Sequence, residues 1–378
     1  MSDTSEALNS KQLVFLDDPV LGSLEKDYLA RAIDSTYVST AGPFVPEFEE
    51  KFAVYVGAKR AVAVQSGTAA LHMALYQLGI GPGDEVIVPA LTFIASVNPV
   101  LYVGARPVIV DVDPDTWTMN PSVVEAAINS HTRAIMPVHL YGNPCDMDAL
   151  THLAHAHQIA VIEDATESLG AEQHGRKTGT FGIMGCFSFN GNKVLTTGGG
   201  GMIVTDDDQV ADHVKYLVNQ ARDPVPGYSH SEMGFNYRMT NLEAAMGLAQ
   251  LERLPDALAL KREFRRIYSE AFLDTASLVL QKEHKDSQSS FWFSAVSIHG
   301  NSDVDSIQLA LKKEGIPSRR HFRPLGDMPY LAQYAQSCPV ADNLYATGLC
   351  LPSSARNTRE SVISVASSMT EALKGVVQ

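Results

Sequence analysis

The chain has 378 residues, 45% of them hydrophobic, and a formal charge of −14. That is enough apolar material for a large core and for two domains, and the acidic balance argues against a nucleic-acid partner unless one face is locally basic. No apolar run approaches the roughly 18 to 20 residues that span a bilayer, and the first six residues lack a basic region followed by an apolar one, so a cytoplasmic protein without a membrane segment is expected.

Residues 1–12 are polar and without periodicity, which reads as a loose terminus. Apolar residues over 21–33 fall at helical spacing, Gly42-Pro43 breaks the pattern, and a second helix is expected over 45–56. A strand over 60–64 runs into Ser66-Gly67-Thr68 and then an apolar helix. A helix start offers free N–H groups and the positive end of its dipole, Gly67 permits close backbone approach, and both hydroxyls can donate, so the junction is a phosphate-site candidate. The same three residues also read as simple capping.

A strand over 85–89 leads to Phe93, whose ring could stack on a flat cofactor or belong to the core. Strands over 107–111, 134–139 and 159–163 follow, alternating with helices near 121–128 and 147–157. The alternation predicts an α/β fold, a mostly parallel sheet with helices on both faces. Right-handed crossovers would bring Ser66-Gly67-Thr68, Phe93 and Asp164 to one edge of it. Cys145, Cys186, Cys338 and Cys350 are widely spaced, which suggests buried thiols and neither a zinc site nor a disulfide framework.

Asp164 closes a buried strand, where open α/β sheets place ligand groups. A strand over 184–189 leaves through Asn190-Gly-Asn-Lys193 into a glycine-rich loop, and 201–205 returns. A carboxylate that can hold a pyridine nitrogen protonated, and a lysine that can bond an aldehyde, are the two groups a pyridoxal phosphate enzyme requires. Ser188 could hold that cofactor's phosphate. Taken singly, a loop lysine is usually a solvated charge and the glycines a turn. A nucleotide P-loop is excluded, because Asn192 and Val194 flank the lysine.

Thr240 and Glu243 form a capping box at the start of a long helix, and Pro255 within it predicts a kink or a break. The domain boundary is placed there: a large domain over 13–254 and a smaller α/β domain over 255–378, with strands over 290–298 and 316–319 and helices near 304–314 and 359–373. Arg319-Arg-His-Phe-Arg323 is the basic cluster, able to grip a diphosphate or to form a solvated edge.

Eight segments then combine: Phe48-Glu-Glu-Lys-Phe-Ala53, Ser66-Gly-Thr-Ala-Ala-Leu71, 89–98, His139-Leu-Tyr-Gly142, Glu163-Asp-Ala165, 187–193, Thr196-Thr-Gly198 and Gly234-Phe-Asn-Tyr-Arg238. In this order, and over nearly the whole chain, they resemble the pyridoxal phosphate-dependent sugar aminotransferases of the DegT/DnrJ/EryC1/StrS type. The resemblance implies a fold-type I transferase, usually a homodimer with shared active sites. It implies glutamate as amino donor and a keto group on a nucleotide-linked deoxysugar as acceptor. Carried over by position, Lys193 is the lysine that bonds the cofactor and shuttles the proton, and Asp164 is the partner of the ring nitrogen. Gly67, Thr68 and Ser188 correspond to phosphate contacts, Phe93 to the stacked ring, Glu167 to a further cofactor contact, and Asn236 to a phosphate contact from the neighbouring subunit.

The chain departs from the common pattern at Thr166-Glu167, at Ser188-Phe-Asn190, at Gly198-Gly-Gly200 and at Pro324-Leu-Gly326. Its Phe189-Asn-Gly-Asn-Lys193 is similar to a subgroup acting at C4 of UDP-linked 2-acetamido-2,6-dideoxy-hexos-4-uloses. Asn190, Arg319, Arg320 and His321 are the candidate substrate contacts, and no metal is expected. The alternatives are amination at C3 and a non-catalytic, pyridoxal phosphate-binding regulatory protein.

Overall fold

The computed structural model describes residues 13–300 and 303–376, so the terminus over 1–12 lies outside the described residues. Seven strands form the main sheet: β1 (Arg60–Val64), β2 (Glu85–Pro89), β3 (Arg106–Val110), β4 (Thr132–Ile135), β5 (Ala160–Asp164), β6 (Met184–Ser188) and β7 (Gly201–Thr205). Their order across the sheet is β1-β7-β6-β5-β4-β2-β3. The pairs from β6 to β3 are parallel, and only β7 runs against its neighbours. Strands covered on both faces should be apolar in their interiors, and these mostly are, with charged and polar residues gathered toward their ends. Val62 and Val64 of β1 enter one core with Leu71, Met73 and Leu75, while Ala61 and Ala63 enter another with Phe48 and Phe52.

Three helices fix the chain around this sheet: α1 (Ser23–Asp34), α2 (Phe44–Val56) and α3 (Gly67–Gln77). On the α2 face, Phe52 meets Phe187 and Phe189 with ring centroids 5.1 and 5.3 Å apart, edge to face.

A second, antiparallel sheet contains β8 (Leu278–Leu280), β9 (Ser294–Ile298), β10 (Arg319–Arg320) and β11 (Gly348–Leu351), in the order β8-β9-β11-β10. The helix that joins the two sheets, Asn241–Phe272, is 32 residues long and runs unbroken through Pro255. The expected break does not occur, and the boundary expected at 254/255 falls inside the helix. A proline there forfeits one backbone bond and crowds the preceding turn, which costs about 3 kcal/mol in an isolated helix. Packing on both sides offsets it: Leu248, Leu251 and Leu254 sit in the α2 core, and Phe264, Tyr268 and Phe272 in the core of the second sheet. At Gly247 the helix passes so close to α2 that a Cβ would lie 2.6 Å from the Phe48 ring. Among the described residues no helix is long and apolar enough to cross a membrane.

Candidate active site

The carboxyl ends of β1, β5 and β6 converge on one cavity of about 290 Å³. The first wall is the β1–α3 junction. Ser66 caps α3, its Oγ accepting the Ala69 N–H at 3.1 Å, so the capping role is real, and Ser66, Gly67 and Thr68 also line the cavity. A Cβ on Gly67 would lie 2.8 Å from Ser188 Cβ and 2.9 Å from Thr166 Cγ2, so only glycine allows the three strand ends to close together.

Asp164 ends β5 beneath this wall and is buried. Its Oδ2 accepts Ser96 Oγ at 2.6 Å, and its Oδ1 accepts the Thr166 N–H at 3.1 Å and Thr166 Oγ1 at 2.7 Å. The preceding residue, Glu163, is tied down separately: it accepts the Gly179 and Gly182 amides at 2.7 and 2.6 Å and His139 Nε2 at 3.0 Å. The strand end that presents Asp164 is therefore fixed by six donor contacts to two carboxylates.

Lys193 closes the opposite side. Its backbone N–H turns back onto the Asn190 carbonyl at 3.0 Å, which aims the side chain inward. Nζ lies 3.8 Å from the centre of the Trp292 ring and 3.9 Å from Glu167 Oε1, and the side chain is 13% exposed. Burial lowers the lysine's pKa, and the nearby carboxylates of Glu167 and Asp164 only partly offset this. Burial in turn raises the pKa of Glu167, against the pull of Lys193 and of the Tyr141 N–H, which Glu167 accepts at 2.8 Å.

The rest of the lining comes from the second sheet. Arg319 leaves β10 with its guanidinium 4.4 Å from the centre of the Phe293 ring and 5.3 Å from that of Phe322. Its Nη1 is 3.7 Å from Asp17, while its buried Nε and Nη2 have no hydrogen-bond partner among the described residues. Phe93 is 52% exposed at the rim, 5.6 Å from Phe322 between ring centres, and so is not a core residue. Asn190 lines the cavity with Asn192, which donates to Asp17 at 2.9 Å.

Three expected site residues lie elsewhere. Arg320 was expected to touch substrate, yet it is held by Asp305 and by the carbonyls of Tyr345 and Ala346, at 2.7 and 3.0 Å, outside the cavity. His321 is likewise corrected. It is buried against Trp117 and Tyr141 and donates to the Leu344 carbonyl at 3.0 Å, and burial pushes its pKa down to about 3, so the ring is neutral. Asn236 lies outside this chain's cavity, bridged to Asn219. Conversely, the sequence reading missed Trp292, Phe322, Ser96 and Asp17 as site residues. A rare tryptophan, one of two in the chain, was the available signal for the first.

Residues 19–370 match the DegT/DnrJ/EryC1/StrS aminotransferase family. The chain belongs to that family. It is 44% identical over 360 residues to the GDP-perosamine synthase of Caulobacter vibrioides, a match covering 94% of this chain and 97% of the relative. To the GDP-perosamine synthase of Escherichia coli O157:H7 it is 42% identical over 354 residues, 93% of this chain and 96% of that one. Among solved structures, the pyridoxal phosphate form of the putative sugar aminotransferase Spr1654 from Streptococcus pneumoniae superposes with a TM-score of 0.92 at 26% identity, over 97% of this chain and all of that one. DesV from S. venezuelae, in complex with a ketimine intermediate, gives 0.88 at 34% identity over 92% and 94%. This DegT-family chain is thus a sugar aminotransferase on a fold-type I scaffold, and the family's cofactor is pyridoxal 5′-phosphate. The cavity fits that group: a helix start closed to any Cβ stands on one side, an amine on the other, and a carboxylate lies beneath.

Proposed function

We propose that the protein transfers an amino group from glutamate to C4 of a nucleotide-linked 4-keto-6-deoxy sugar. The observation that carries this reading is the convergence of Lys193 and the α3 N-terminus on a single cavity, with the Asp164 carboxylate bonded to Thr166 of its lining. When bound, pyridoxal phosphate supplies an aldehyde to carry the amino group and a ring to accept electrons. Lys193 anchors it and, when displaced by the amino donor, takes up and returns a proton at Nζ; its lowered pKa enlarges the neutral, basic fraction. Asp164 faces the ring nitrogen, and the three donors on its oxygens hold it in place. Gly67, Thr68 and Ser188 hold the phosphate at the helix start, Phe93 covers the ring, and Glu167 holds Lys193. Asn236 reaches the phosphate from a second copy of the chain in a cytoplasmic homodimer. Arg319, with two unpartnered donors, meets an anionic part of a substrate.

The 42% to 44% identity to GDP-perosamine synthases over nearly the whole chain favours a GDP-linked acceptor. The Phe189-Asn-Gly-Asn-Lys193 loop supports a UDP-linked 2-acetamido sugar as the second reading. Purified protein should absorb in the visible and lose that band on adding glutamate, and borohydride should trap the cofactor on the wild type and not on Lys193→Ala. A band indifferent to glutamate would leave a non-catalytic binder. Among GDP- and UDP-linked 3-keto and 4-keto sugars, the GDP-linked 4-keto sugar should turn over fastest; preference for a 3-keto sugar would overturn the assigned position.

A further inference from the structure

One side chain that packs on Lys193 comes from outside the main sheet. Trp292 is buried and is held at both ends. Its indole N–H donates to the carbonyl of Asn192, the residue before the lysine, at 2.7 Å. Its own carbonyl accepts Lys261 Nζ at 3.2 Å, and that buried ammonium also donates to the Ser353 carbonyl at 2.7 Å. The ring is therefore fixed with its face toward Lys193 Nζ, 3.8 Å from the ring centre.

We propose that Trp292 is a positioning residue that holds the ε-ammonium of Lys193 whenever the lysine is not bonded to the cofactor. The proposal rests on the reading of Lys193 as the lysine that bonds pyridoxal phosphate. In that reading the amine must be released and recaptured at every turnover. A four-carbon side chain with three rotatable donors does not keep its place unaided. The negative face of an indole attracts a cation most strongly where water is excluded. The charged groups facing Lys193 are Glu167, at 3.9 Å, with Asp164, Arg319 and Asp17 beyond. Burial and Arg319 favour the neutral amine, whereas the three carboxylates favour the ammonium. The indole adds to the second group.

The sign of the effect separates this role from a purely structural one. Removing the π face lowers the pKa of the free amine, whereas loosening the site and admitting water raises it, because burial is what depresses it. The test follows the pH dependence of covalent capture of pyridoxal phosphate by cofactor-stripped protein, read by absorbance and by borohydride trapping at Lys193. The neutral amine reacts, so the rate midpoint reports its pKa. Trp292→Leu should move the midpoint down by about one pH unit, the shift expected for a desolvated cation–π contact. Trp292→Phe keeps an aromatic face and forfeits the bond to Asn192, so it should give roughly half that shift and serves if the leucine variant does not fold. An unchanged or raised midpoint in the folded variants overturns the proposal. Covalent capture by Lys193→Ala would instead overturn the underlying assignment of the lysine.

Discussion

Arg319 reaches the cavity wall while Arg320, next in the chain, is held by Asp305 and two backbone carbonyls. Successive side chains on a strand point to opposite faces, so a basic run read as one patch is divided by the two-residue strand beneath it. His321 completes the separation, neutral in an aromatic cage with a folded-state pKa near 3 against an ordinary value of 6.5. A folded pKa below the unfolded one contributes stability above pH 6.5 that is lost progressively as pH falls toward 3, at about 1.4 kcal/mol per unit. Urea midpoints between pH 7 and 4.5 should therefore fall less steeply for His321→Gln than for the wild type. Equal slopes would mean that burial does not perturb this ring. None of this was visible in the sequence, because three adjacent basic residues carry no mark of which way each one faces.

Elements with a strong local signal were legible. The apolar runs that became β1 and β5 located Ser66-Gly67-Thr68 and Asp164 at strand ends, since a sheet covered on both sides demands continuous apolar strands and leaves polar groups only where they stop. The turn into α3 carries a sharp prediction. A methyl group on Gly67 would meet Ser188 and Thr166 inside 3 Å, so Gly67→Ala should weaken pyridoxal phosphate binding on the order of tenfold and also lower the apoprotein's thermal transition, since such overpacking costs about 1–3 kcal/mol. A cofactor titration followed by absorbance decides it, and unchanged affinity would show that the cradle tolerates a Cβ. Beyond the rarity of its residue type, Trp292 gave no sign of its place in the site, for a different reason. It lies 99 residues after Lys193 and meets it only through the packing of one sheet on the other, a long-range fact with no local pattern.

At the scale of the whole molecule, the assigned phosphate contact Asn236 lies outside the cavity of its own chain. If it serves a second copy, a mixed dimer of Lys193→Ala and Asn236→Ala subunits should regain one site of normal affinity, because the intact lysine of one subunit then faces the intact asparagine of the other. Differently tagged subunits purified as the mixed species, and titrated with cofactor, would check this. Weak binding at every site would place Asn236 in its own subunit's service. The chain also joins its two sheets with a single helix from which one backbone hydrogen bond is missing at Pro255. Lys193 rides on the main sheet, while Trp292 and Arg319 ride with the second. That helix is in effect the spine of a pair of calipers whose jaws carry the amine and the indole, and the proline marks the vertebra with the fewest ties.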